Sequence, residues 1–159
     1  MKRVYLIRHG EAEFTGRGRG DHGRALTDEG REQARRLGEQ LADAGIQVIL
    51  SSDADRAAQT ASGLGLHADL RLLEELYNAS TVGLMRGLAT LEDSLEAAAL
   101  VAHAPGVPAL VEELAGEDPD PDAAALALRH FPTATCAAIE FTGSWGDPSG
   151  PRLVWATRG

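Results

Sequence analysis

Two arginines and two histidines stand where a buried core would not choose them. Arg8-His9-Gly10 closes a first apolar run, Val4-Tyr5-Leu6-Ile7. Ser51-Ser52 closes a second, with Arg56 shortly after, and His103 closes a third, Ala98 to Ala102. Guanidinium forks grip the nonbridging oxygens of a phosphoryl group bidentately. A neutral imidazole can attack phosphorus, and a cationic one stabilises charge on the equatorial oxygens. If the three runs are neighbouring parallel strands, these residues predict one anion pocket with a histidine nucleophile, a second histidine as electrostatic donor, and no need of a metal. The same histidines could instead ligate zinc with Glu74 or Glu11 as third ligand. Arg8 and Arg56 weigh against that, since two cations beside the site repel a metal ion.

The elements that must position these groups are legible in the hydrophobic pattern. Continuous apolar runs at residues 4–7, 46–50 and 98–102 read as strands buried on both faces. Thr27 is placed to cap a helix whose first turn holds Asp28 and Glu29, with Ala34, Leu37, Leu41 and Ala44 on one face and Gly45 as its stop. Further helices are expected over 54–62, 80–88, 91–97, about 108–116 and 122–130, and a short strand over 69–73. Residues 135–141 and 152–156 should form an edge hairpin around the intervening Gly/Ser/Pro segment. Strands alternating with helices predict a single α/β domain over 1–159, a three-layer sandwich with a mostly parallel sheet. In such sheets ligands bind beyond the carboxyl ends of the strands, where Arg8, His9, Ser52, Arg56 and His103 would lie.

Composition narrows the class of protein. The chain has 159 residues, 43% of them hydrophobic and 25% charged, an ordinary globular balance. Its net charge of -9 argues against a general nucleic-acid binder. Residues 1–40 nevertheless carry nine Lys/Arg against seven acids, while the remainder carries six against seventeen. A local anion site fits that asymmetry, and Arg31, Arg35 and Arg36 read as solvating one helix. No apolar run approaches the ~18 residues of a membrane span, and the amino-terminal segment lacks the apolar stretch of a signal peptide. The single cysteine, Cys136, excludes an internal disulfide and reads as a small core residue. A cytoplasmic protein without membrane or nucleic-acid partners is expected.

Four separated blocks then resemble one known family. Arg8-His9-Gly10-Glu11-Ala12 looks like the Arg-His-Gly signature of the histidine phosphatase, or phosphoglycerate-mutase-like, superfamily. Asp21 to Thr27 with Gly30 resembles its "D…R.LT..G" segment. Ser51 to Ala61 is similar to "SSP..RA.QTA", and Val101 to Val107 to "VGHNPG". The short chain most resembles the SixA branch, the phosphohistidine phosphatases. The resemblance implies a phosphoglycerate-mutase-like fold, His9 as the nucleophile that becomes phosphorylated, and Arg8, Arg56 and His103 as the rest of the phosphate pocket. It further implies Glu74, or failing that Glu75, as general acid. Two positions depart from the pattern. Asp53 replaces a proline, at a helix start where it could act as a cap. Ala104 replaces an asparagine but keeps the backbone N–H for phosphate.

The implied chemistry is attack by His9 on a phosphoryl group, then hydrolysis of the phosphohistidine to release inorganic phosphate without a cofactor. An alkoxide leaves poorly and needs a placed acid, whereas imidazole leaves readily once protonated. Only about twenty residues separate Tyr77 from the strand near Ala98, which predicts a shallow, open pocket. Both features favour a phosphohistidine on another protein as substrate. A small phosphate ester, or a catalytically silent phosphate-binding scaffold, are the alternatives. The segment Gly16-Arg17-Gly18-Arg19-Gly20 is placed to touch an acidic partner or to be plain surface loop, and His22 reads as surface.

Overall fold

The computed structural model describes residues 1–159. Six strands, β1 (Lys2–Arg8), β2 (Val48–Ser52), β3 (Asp69–Leu73), β4 (Ala97–Ala102), β5 (Thr135–Ser144) and β6 (Asp147–Arg158), build one sheet in the order β3-β2-β4-β1-β5-β6. The β3-β2, β2-β4 and β4-β1 pairings are parallel, and β1-β5 and β5-β6 are antiparallel. Successive side chains of a strand point to opposite faces, so the central strands divide the core in two. Val4, Leu6, Leu50 and Leu100 pack under helices α3 (Thr81–Leu88), α4 (Gly106–Leu114) and α5 (Pro121–Ala127). Tyr5, Ile7, Ile49 and Val101 pack under α1 (Asp28–Leu41) and α2 (Asp55–Gly63). The result is the α/β/α sandwich expected from the sequence.

Register decides where the chemistry falls. Arg8 lies opposite Ala102, and Ser51 opposite Val101. The first residues past β1 and β4, His9 and His103, therefore emerge at the same height, and the His9 N–H donates to Ala102 O at 3.0 Å. Because β4 inserts between β1 and β2, their carboxyl ends open onto a shared crevice.

Three expected elements differ. Residues 91–97 are not a helix. Gln47 Oε1 accepts from the N–H groups of Glu96 and Ala97, and Trp145 Nε1–H donates to Leu95 O at 3.2 Å. Those partners satisfy the backbone and deliver the chain into β4. The edge hairpin turns at Trp145-Gly146, and the Gly/Ser/Pro segment is paired within β6. Trp145 is a buried anchor lying edge-on to Phe141, with centroids 5.3 Å apart, while Trp155 lies edge-on to Tyr5. Helix α5 ends at Ala127, three residues early, and the segment after it carries the Phe131 carbonyl to the Arg8 guanidinium. The capping by Thr27 is present, its hydroxyl accepting from Gly30 N–H at 3.0 Å. Arg31, Arg35 and Arg36 form ion pairs along α1 with Asp28, Glu32, Glu39 and Glu29.

Candidate active site

A depression of about 500 Å³ lies beyond the carboxyl ends of β1, β2 and β4, lined by Arg8, His9, Arg56, His103 and Ala104 among others. Four of these side chains come from the ends of β1 and β4 and the first turn of α2, and Ala104 adds its backbone beside His103. The pocket is assembled by the loop between β1 and α1. Gly10 and Gly30 let β1's exit press against α1's first turn. A Cβ on Gly30 would stand 2.0 Å from Glu11 O, and one on Gly10 2.8 Å from Gly30 O. Thr60 Oγ1 accepts from Gly10 N–H at 2.9 Å and donates to Arg56 O, while Gln59 Oε1 accepts from Leu26 N–H. The three polar residues of the Arg56-to-Ala61 block thus share one task. Arg56 faces the pocket, and Gln59 and Thr60 fix the loop that frames it.

His9 is buried and contacts its own neighbour's carbonyl, Nδ1 to Gly10 O at 2.7 Å. A carbonyl only accepts, so the proton sits on Nδ1 and Nε2 keeps its lone pair. Burial pushes the pKa of His9 down to about 4, opposed by the Gly10 bond and assisted by Arg56, Arg8 and Arg24. The imidazole is therefore neutral at pH 7, the state required of a nucleophile.

His103 lies with its ring centroid 5.4 Å from that of His9. Its Nε2 is 2.8 Å from Ser52 Oγ, which already accepts from Ala54 N–H. The serine proton is thus available to Nε2, leaving the His103 proton on Nδ1, an atom buried without a partner in the chain. Burial, with Arg56 and His9 nearby, pushes its pKa down to about 3. This corrects the expectation of a cationic second histidine. Within this pocket His103 is a neutral N–H donor.

The arginines are gripped at their tips. Arg8 Nη1 donates to Phe131 O at 3.0 Å. Arg56 donates from Nη1 to Asp21 O and from Nη2 to Asp21 Oδ2, at 2.9 and 3.1 Å. Both Nε atoms are buried without a partner in the chain, two further donors for an anion's oxygens.

The remaining expectations fare unevenly. Glu74 and Glu75 line a separate depression with His22, Asp53 and Tyr77, and neither lines the pocket of His9. The carboxylates that do line it are Asp21 and Glu11. Asp21 is pushed down to about 2, first by the Tyr77 hydroxyl that donates to it and also by Arg56 and Arg24. Glu11 accepts from Thr27 Oγ1 at 2.8 Å. His22 is half-exposed and bonds Asp53 Oδ1 at 2.9 Å, within that neighbouring depression. Asp53 does not cap α2, since the Ser52 hydroxyl takes the Ala54 N–H. Arg17 and Arg19 pair with Glu13 and Asp55 within the chain. Asp21, Tyr77, Ser52 and Thr60 were not recognised in the sequence as groups that orient the pocket. For Asp21, Ser52 and Thr60 the available signal is their place inside the resembling blocks, and Tyr77 lies outside those blocks.

The profile of the histidine phosphatase superfamily (branch 1) matches residues 4–120. The chain is 30% identical over 127 residues to an uncharacterised protein of Mycobacterium leprae, covering 79% of each. Among solved structures it resembles a protein of Nakamurella assigned as the phosphohistidine phosphatase SixA, with TM-score 0.86, 29% identity, and 98% and 95% of the two chains covered. It also resembles the protein histidine phosphatase SixA complexed with tungstate, with TM-score 0.78, 25% identity, and 98% and 96% covered.

Proposed function

The chain belongs to the histidine phosphatase superfamily (branch 1), and from that membership we propose that it is a metal-independent phosphatase acting on phosphohistidine in proteins. His9 Nε2 attacks phosphorus in line, forming an N–P bond as the substrate's own N–P bond breaks. The substrate's imidazole, already carrying a proton on its other nitrogen, departs as the neutral ring. Water then attacks the phosphorylated His9, restoring its lone pair and releasing inorganic phosphate. Arg8, Arg56, His103 and the Ala104 backbone N–H hold the phosphoryl oxygens, so positioning and electrostatics supply the acceleration.

One observation carries the choice of substrate. Both carboxylates that line the pocket are engaged as acceptors, Asp21 by Tyr77, Arg56 and Arg24 and Glu11 by Thr27, and Asp21 lies far on the ionised side. An alkoxide leaving group requires a proton donor that these groups do not offer, whereas a protonated imidazole leaves without one. The likeness to solved SixA proteins supports the same reading. On it, the chain works as one catalytic domain over 1–159, in the cytoplasm, with a phosphorylated protein as partner.

The test is phosphate release by wild type and His9→Ala in EDTA, offered a phosphohistidine peptide, a set of sugar phosphates and an aryl phosphate. Preferential, EDTA-resistant hydrolysis of the peptide, lost in His9→Ala, is expected. Faster turnover of a sugar phosphate would retain the histidine mechanism and replace the substrate with a small ester. Phosphate binding without release from any substrate would make the chain a silent scaffold.

A further inference from the structure

Asp53, the departure from the proline of the resembling motif, does no capping and faces a specific partner. Its Oδ1 lies 2.9 Å from His22 Nε2. His22 belongs to a short 3-10 turn, Asp21–Gly23, at the far end of a loop punctuated by Gly16, Gly18 and Gly20. Such a loop has much conformational freedom to lose. Its first half is tied down by the Ala12–Leu26 bridge and by Glu13 N–H donating to Ala25 O. The turn itself is held to the head of α2 by His22–Asp53, by Arg19–Asp55 at 3.1 Å, and by the grip of Asp21 on Arg56. The three α2-side partners, residues 53, 55 and 56, lie within four positions of one another.

We infer that the His22–Asp53 hydrogen bond is a positioning device for Arg56. It pins the 3-10 turn so that the carbonyl and carboxylate of Asp21 hold the guanidinium at two points, and the inference rests on the reading of Arg56 as a phosphate-binding residue. The same turn orients the neighbouring aromatic groups. His22 lies edge-on to Tyr77 at 5.0 Å, Tyr77 donates its hydroxyl to Asp21, and Tyr77 lies edge-on to His103 at 5.6 Å. A proline at position 53 would offer no side-chain acceptor, and the turn would lose one of its attachments beside Arg56.

The sign of one measurement separates this role from simple electrostatics. Asp53 is a negative charge near a cationic pocket, so deleting it should tighten anion binding if charge alone mattered. Positioning predicts the reverse. Binding of tungstate and of inorganic phosphate is measured by calorimetry for wild type, Asp53→Ala, Asp53→Asn, His22→Phe and Arg56→Ala, with urea midpoints for each. Asp53→Ala should weaken binding about fivefold to tenfold, within the range of coupled neighbours. His22→Phe, which keeps a ring against Tyr77 but removes the donor, should weaken it similarly. Asp53→Asn keeps an acceptor and should bind at least as tightly as wild type. With a phosphohistidine peptide, the Asp53→Ala loss should fall mainly on KM. Unchanged or tighter binding by Asp53→Ala, or equal weakening by Asp53→Asn, overturns the inference. If Asp53→Ala does not fold, unchanged binding by His22→Phe overturns it instead. If Arg56→Ala itself binds as wild type, the reading of the phosphate pocket fails first.

Discussion

Acidification should destabilise this protein through the same two imidazoles that make its pocket. His9 and His103 are buried with pKa values near 4 and 3, against 6.5 for a solvated histidine. A histidine whose pKa falls on folding binds its proton more readily unfolded. Its contribution is therefore complete above about pH 6.5 and is lost as pH drops toward the folded value. Integrating the linkage from pH 7 to pH 5 gives about 2 kcal/mol for each histidine, or about 4 kcal/mol together. That is a large share of a typical stability of about 5–15 kcal/mol. It corresponds to a fall of about 2 M in the urea midpoint. Depression of Asp21 to about 2 acts with the same sign, but below pH 4, outside the window. Urea unfolding followed by tryptophan fluorescence at both pH values measures the effect in wild type, His9→Asn, His103→Asn and the double variant. Each single variant should lose about half of the wild-type acid sensitivity, and the double variant most of it. An equal loss of stability between pH 7 and pH 5 in wild type and double variant would refute the claim that both rings are held neutral by burial.

Three further outcomes follow from the geometry. Trp145→Ala removes the buried anchor of the hairpin turn and leaves the Leu95 carbonyl without its donor, so it should cost about 3–5 kcal/mol in urea unfolding.

 The lost donor is the indole N–H that Leu95 O accepts, and a cost below about 1 kcal/mol would show that the turn is not anchored there. Gly30→Ala drives a Cβ to 2.0 Å from Glu11 O, so it should displace the loop after β1 and lower both the thermal midpoint and tungstate affinity. A variant with wild-type melting and binding would contradict that close approach. Glu74→Gln should leave phosphohistidine hydrolysis within about twofold of wild type, whereas loss of a true general acid costs about 100-fold or more. Steady-state kinetics with the phosphohistidine peptide decides between them.

Much of this protein was legible in its residues taken in order. Runs such as Val4 to Ile7 and Ala98 to Ala102, short and closed by polar residues, read as strands buried on both faces. Their ends then mark where Arg8, His9 and His103 must surface, and the four resembling blocks point to the family. Other features depend on contacts between distant segments. Arg56 and Asp21 are 35 residues apart and Tyr77 and Asp21 are 56 apart, so their grip exists only once the loop has folded onto α2. Glu74 and Tyr77 both line the neighbouring depression, and of the two only Tyr77 reaches Asp21 at the pocket, through its hydroxyl. The neutral state of His103 likewise follows from burial beside Arg56 and His9. Local pattern determines which residues form strands and which ends carry reactive groups. Desolvation, register and long-range hydrogen bonds are properties of the assembled chain, and they decide the charge, the tautomer and the neighbours of those groups.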